Sequence, residues 1–136
     1  ERPLLVWNAS ISVPVGFYAV RHRRPDVGDL ALVRLPPAIA EVAHRRHFLP
    51  RSALLLKPVA AIAGDRVCRF GADVFVQGRL VARAVLENEP LLAWRECRIL
   101  KIGELFLLAD HPASFDSRYF GPLHAKHVIG SALSVW

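Results

Sequence analysis

Apolar residues run along this chain in short stretches, often alternating with polar ones and separated by Gly, Pro, Asp and Asn. That period of two predicts strands, and the breakers predict the turns between them. Leu4-Leu5-Val6-Trp7 reads as a first strand, although the end of a membrane anchor fits the same letters. Val27-Gly28-Asp29 is a turn that feeds an alternating strand through Leu35. The stretch 36–48 opens with two prolines and then shows helical spacing, which predicts one short helix ended by Leu49-Pro50. Short strands are expected at 66–70 and 73–77 around a Gly71 turn, with a hairpin tip at Gln77-Gly78-Arg79. Further strands are expected at 80–85, 99–101 and 128–135, with a turn at Gly103-Glu104. There is no internal repeat. The prediction is a mainly β protein of antiparallel sheets, or a barrel-like closure of them, carrying one short helix.

Three places depart from this pattern. The first is Lys57, set in the apolar run from Leu54 to Asp65 with no other charge until Asp65. The chain has three lysines against fifteen arginines, so lysine is not its general surface cation. Either Lys57 snorkels its head to water from a strand edge, or its amine is desolvated, loses its proton near neutral pH and serves as a general base. The second is Asn8-Ala9-Ser10-Ile11-Ser12-Val13-Pro14-Val15-Gly16, where two serines precede a Pro/Gly turn. On an extended strand Ser10 and Ser12 point the same way. One hydroxyl could attack a carbonyl while the other binds the oxyanion; backbone capping is the ordinary alternative. The third is Ser114-Phe115-Asp116-Ser117-Arg118-Tyr119-Phe120-Gly121. Asp116 and Arg118 share a face if this segment is extended, as a loop-fixing buried pair or a surface pair of little worth.

Taken together, the three segments resemble the boxes of the signal peptidase I superfamily of Ser/Lys serine peptidases. They most resemble its conjugative-transfer branch, the TraF-type peptidases that process pilin precursors. Ser12-Val13-Pro14-Val15-Gly16-Phe17-Tyr18 is similar to that branch's Ser-x-Pro-x-Gly-x-Tyr. Lys57 to Asp65 is similar to Lys-Arg-x-x-x-x-Pro-Gly-Asp, with Pro58 after the lysine and Ala63 where proline is common. Ser114 to Gly121 is similar to Ser-x-Asp-Ser-Arg-Tyr-Trp/Phe-Gly, although Ala109-Asp110-His111 replaces a Gly-Asp-Asn opening. Val13 stands where housekeeping signal peptidases usually carry methionine, which favours the conjugative branch over the secretory one.

The resemblance implies a signal-peptidase (LexA-like) β fold over residues 1–136, one periplasmic-type peptidase domain. It implies Ser12 as nucleophile, Lys57 as base, and the Ser12 N–H with the Ser10 hydroxyl as oxyanion donors. Ser114, Asp116 and Arg118 then support the base, and Leu55 and Leu56 line a small apolar pocket. The expected substrate is a leader peptide on an exported precursor, cut after small residues, at the periplasmic face of a bacterial inner membrane. Relatives carry membrane helices ahead of the serine box, so an anchor preceding this chain is expected. No apolar run here reaches the ~20 residues that span a bilayer.

Composition adjusts this picture only slightly. At 136 residues with 53% apolar content the chain can bury a real core. Its net charge of +6 is compatible with anionic headgroups, with nucleic acid or with simple solubility. Arg21-His22-Arg23-Arg24 lacks the interleaved aromatics that stack bases, so no nucleic-acid partner is expected. No zinc-type spacing occurs among the six histidines and two cysteines, and neither metal nor cofactor is expected. His44 and His47 are expected to face solvent, and His111 to be a loop residue. Given the extracytoplasmic setting that the resemblance implies, Cys68 and Cys97 are expected to form a disulfide. A self-cleaving repressor would need a cleavable Ala-Gly-type segment and a DNA-binding domain, neither of which is evident. A non-enzymatic β binding domain is the remaining alternative.

Overall fold

The computed structural model describes residues 4–8, 13–46, 54–85 and 94–135. About half of them lie in two antiparallel sheets. The larger contains β1 (Leu4–Asn8), β2 (Gly16–Arg21), β3 (Leu30–Arg34), β4 (Leu54–Ala61), β9 (Glu104–Leu107), β10 (Leu123–His124) and β11 (Val128–Ser134). Their order across the sheet is β1-β2-β11-β3-β4-β9-β10. The smaller holds β5 (Arg66–Phe70), β6 (Asp73–Val76), β7 (Arg79–Arg83) and β8 (Glu96–Ile99), in the order β7-β6-β5-β8. Among the described residues neither sheet closes, so the barrel-like option gives way to open sheets. The outermost strands β1 and β10 each pair on one side only, and β10 is two residues long.

The longest helix among the described residues is α1 (Pro37–Arg45), with proline at its first turn and His44 and Arg45 at its last. Proline suits the first turn because its missing N–H would be unpaired there anyway. The cations face the negative end of the helix dipole. The expected end at residue 48 lies outside the described residues. One further helical turn, α2 (Ser117–Phe120), falls in the third motif, where the sequence reading placed no helix. The strand expected at 99–101 sits earlier, at Glu96–Ile99, because Leu100 turns into the core and its N–H bonds the Asp65 carbonyl. At the hairpin tip Gln77 and Gly78 both take positive φ, of 52° and 78°. That is the type I′ geometry that matches strand twist.

The strands β3 and β4 are buried on both faces, which is why Leu30 to Val33 and Leu54 to Leu56 read as continuous apolar runs. On one side Ala31, Val33, Leu55 and Val59 pack with Val42 of α1, Leu107 and Phe115. On the other, Leu32 and Leu56 pack with Val13, Tyr18, Val20 and Ala132. A third cluster of Ala61, Val67, Val74, Leu100 and Phe106 holds the small sheet against the large one. Cys68 and Cys97 sit directly opposite on β5 and β8 and are joined, with an S–S length of 2.07 Å. Closing that 29-residue separation contributes roughly 3–4 kcal/mol through the unfolded chain. No helix among the described residues is long and apolar enough to cross a membrane.

Candidate active site

Strand alternation puts Lys57 on the same face of β4 as Leu55 and Val59. That face is covered by α1 and by the loop carrying Phe115, and Lys57 is only 3% exposed. The snorkelling reading of Lys57 therefore fails. Its Nζ donates to Ser114 Oγ at 2.5 Å. Burial is the main cause that brings its pKa down to about 8, with the Arg118 charge adding to the effect and the Asp116 carboxylate opposing it. The sign follows from the chemistry, since a dry site penalises the ammonium and leaves the neutral amine untouched. At pH 7 about a tenth of the molecules then carry the neutral amine, against roughly one in three thousand for an ordinary lysine.

The loop after β9 supplies the polar wall. Asp116 is not on an extended segment with Arg118, as expected; it caps α2, accepting the Arg118 backbone N–H at 3.1 Å. The Asp116 carboxylate also accepts the Ala109 N–H at 3.0 Å and Arg118 Nε and Nη2 at 2.8 and 3.0 Å. A side-chain cap needs the short Asx geometry, and that bends the chain where period two would have kept it straight. Arg118 Nη2 reaches on to the Ala109 carbonyl at 2.7 Å. Both residues of the pair are buried, Asp116 completely. A buried ion pair is tolerable only when its remaining protons and lone pairs are satisfied, and this one meets that condition. Ser117 Oγ accepts the Leu107 N–H at 2.9 Å, stitching α2 back onto β9. His111 is a turn former: its Nδ1 accepts the Ala113 N–H and its carbonyl the Ser114 N–H, both at 3.0 Å.

Ser10 and Ser12 lie outside the described residues, but their flanks are fixed. Asn8 and Gly16, which bracket them in sequence, are register partners of β1 and β2. Asn8 Nδ2 donates to the Val13 and Pro14 carbonyls at 3.3 and 3.2 Å. The Tyr18 hydroxyl donates to the same Pro14 carbonyl at 2.5 Å. Val13, the residue after Ser12, packs in the same cluster as Leu56, the residue before Lys57. Leu55 and Leu56 themselves separate, one into each of the two clusters flanking β4, so they face opposite sides of the strand.

Three buried polar residues of this region were not singled out from the sequence. Asn8 ties down the serine segment, Ser117 anchors α2, and Arg69 of β5 donates from Nη1 to the Arg118 carbonyl at 3.0 Å. Arg69 had a legible signal. It shares strand parity with the fully buried Val67, where an outward cation would not fall. Asn8 and Ser117 had none, since a lone Asn or Ser beside a turn is ordinary loop chemistry.

The family model described as signal peptidase, peptidase S26, matches residues 2–136. A conjugal transfer protein TraF of Sinorhizobium fredii is 32% identical over 94% of this chain and 74% of its own length. The plasmid transfer protein TraF of Escherichia coli is 28% identical over 90% of this chain and 77% of its length. A crystal structure of a signal peptidase I from Enterococcus faecalis aligns with a TM-score of 0.48 at 18% identity, covering 82% of this chain and 98% of that one. By its family match and its TraF relatives, this chain belongs to the signal peptidase family, peptidase S26.

Proposed function

We propose that this chain is a Ser/Lys endopeptidase that removes the leader peptide from an exported precursor, a conjugative pilin, at the periplasmic face of a bacterial inner membrane. The observation that carries the reading is the buried Lys57 amine, poised near neutral pH and fixed by Ser114. A neutral amine has two N–H donors and one lone pair. One N–H serves Ser114, and the lone pair takes the Ser12 hydroxyl proton as Oγ attacks the scissile carbonyl. The resulting lysinium returns that proton to the leaving amine. Water, activated by the same amine, then hydrolyses the acyl-serine ester. The Ser12 N–H and Ser10 hydroxyl hold the oxyanion. The shared cluster of Val13 and Leu56 supports bringing the serine and the base together.

The membrane part of the proposal rests on an edge of the large sheet. Leu5 is 60% exposed, Trp7 56% and Leu133 69%, with Leu4, Val15 and Phe17 exposed beside them. Apolar side chains concentrated on one sheet edge mark a surface with an apolar partner. A bilayer fits this one, because the edge flanks the serine hairpin and the expected substrate is membrane-bound. The Cys68–Cys97 disulfide suits an oxidising compartment.

The test uses purified protein and a precursor peptide spanning the leader junction. Ser12→Ala and Lys57→Ala should each lower cleavage by at least about 10³-fold, and an acylating serine probe should label Ser12. Cleavage that survives Lys57→Ala at neutral pH would refute the dyad.

A further inference from the structure

The small sheet meets the site loop at the Arg83 carbonyl, which accepts Arg118 Nη1 at 3.5 Å, and at the Arg118 carbonyl. The Arg118 carbonyl oxygen accepts two hydrogen bonds from outside its own loop: Arg69 Nη1 at 3.0 Å and Trp94 Nε1 at 3.0 Å. Arg69 is itself held, with Nε donating to the Gly71 carbonyl at 2.9 Å. Its planar fork spans two carbonyls at once, which a lysine head cannot do in that geometry. Trp94 lies against Gly121, where an added Cβ would come within 3.2 Å of the indole ring. Its ring also meets Phe106 edge-on, at a centroid distance of 5.3 Å. Both donors flank the disulfide: Arg69 follows Cys68, and Trp94 lies three residues before Cys97. A carbonyl held by a buried donor and a half-buried one is a fixed point. Here it is the backbone of the residue whose side chain holds Asp116.

We propose that Arg69, with Trp94 as second donor, is a positioning residue for catalysis: the disulfide-braced small sheet holds the Arg118 carbonyl, and through Asp116 and Ser114 keeps Lys57 dry. The inference rests on the Ser/Lys reading and adds to it. Nothing in the family boxes contains either donor. The charged groups acting on Lys57 are Asp116 and Arg118, both on this loop. Arg69 faces the Tyr119 hydroxyl and the Arg95 guanidinium. Releasing the carbonyl lets the loop shift and water reach the amine, so Lys57 becomes easier to protonate.

The experiment compares wild type, Arg69→Lys and Trp94→Phe in two readouts. One is the pH profile of kcat/KM for the precursor peptide. The other is the titration of Lys57 followed at its ¹³C-labelled Cε, in a spectrum with three lysines. Arg69→Lys keeps the positive charge and loses the fork. It should move the acid limb of the profile and the Lys57 titration upward together by about half a pH unit or more, a loss of about threefold or more at pH 7. Trp94→Phe, which removes only an N–H, should shift both in the same direction by less. A folded Arg69→Lys with Lys57 titrating as in wild type overturns the proposal. Should Arg69→Lys not fold, an unshifted Trp94→Phe overturns it instead. The NMR readout needs no substrate. A wild type that cleaves nothing, with Lys57 still moving in the variants, would sink the peptidase reading and leave the positioning role standing.

Discussion

Two regions of this molecule break the ordinary rule of apolar inside and charge outside, and they break it in opposite senses. Around Lys57 and the loop 108–121, an ammonium/amine, a carboxylate and a guanidinium are all buried. Along the β1, β2 and β11 edge, leucine, valine and aromatic side chains stand in solvent. The first arrangement is costly and is stabilised by dense hydrogen bonding: Asp116 alone accepts four. The second has no comparable hydrogen-bond network among the described residues. Trp7 meets Phe17 edge-on at 4.9 Å, and both remain exposed. On the proposed function, catalysis accounts for the inward inversion and a membrane surface for the outward one.

Substitutions can break or sharpen this contrast. The largest effect should come from Asp116→Asn, which leaves Arg118 buried without its counter-charge. Unfolding by denaturant should show a loss of about 3–5 kcal/mol. A loss under about 1 kcal/mol would mean that the loop charges are solvated rather than buried. Next is Lys57→Met, expected to abolish cleavage and yet raise stability. The sign follows from linkage. Lys57 titrates at about 8 when folded, below its ordinary 10.5, so between those values the unfolded chain binds more protons. Stability of the natural chain therefore rises with pH across that window, and the cost of the buried amine is fully present below pH 8. The variant should gain up to about 3 kcal/mol at pH 7, and the gain should vanish above pH 10. A gain independent of pH would assign the effect to packing instead. The smallest effect belongs to the outer edge. Leu5→Ser with Leu133→Ser should change the unfolding free energy by under about 0.5 kcal/mol while weakening sedimentation with anionic vesicles severalfold. Unchanged vesicle binding would reassign that edge to a protein partner.

How much of this was visible beforehand differs between the same two regions. Strand parity located β3, β5 and β11, and the scarcity of lysine pointed to Lys57. The bend at Asp116 was not visible, because Asx capping depends on one side chain choosing a nearby N–H, which no periodicity records. Leu55 and Leu56 were expected together in one pocket and lie on opposite sides of β4, as neighbours on a strand must. The open sheet was not legible, because pairing between distant strands is decided by the whole set of partners.

The strand order has one more consequence. The hairpin that carries the serine segment, β1–β2, shares no hydrogen-bond ladder with β3 and β4; β11 lies between them and pairs with both. A ribosome releases Val128–Ser134 long after Ser12 and Lys57 have emerged. Until then no strand among the described residues bridges the β1–β2 ladder to the β3–β4 ladder, and on the proposed function a chain cut short before β11 should not cleave its precursor.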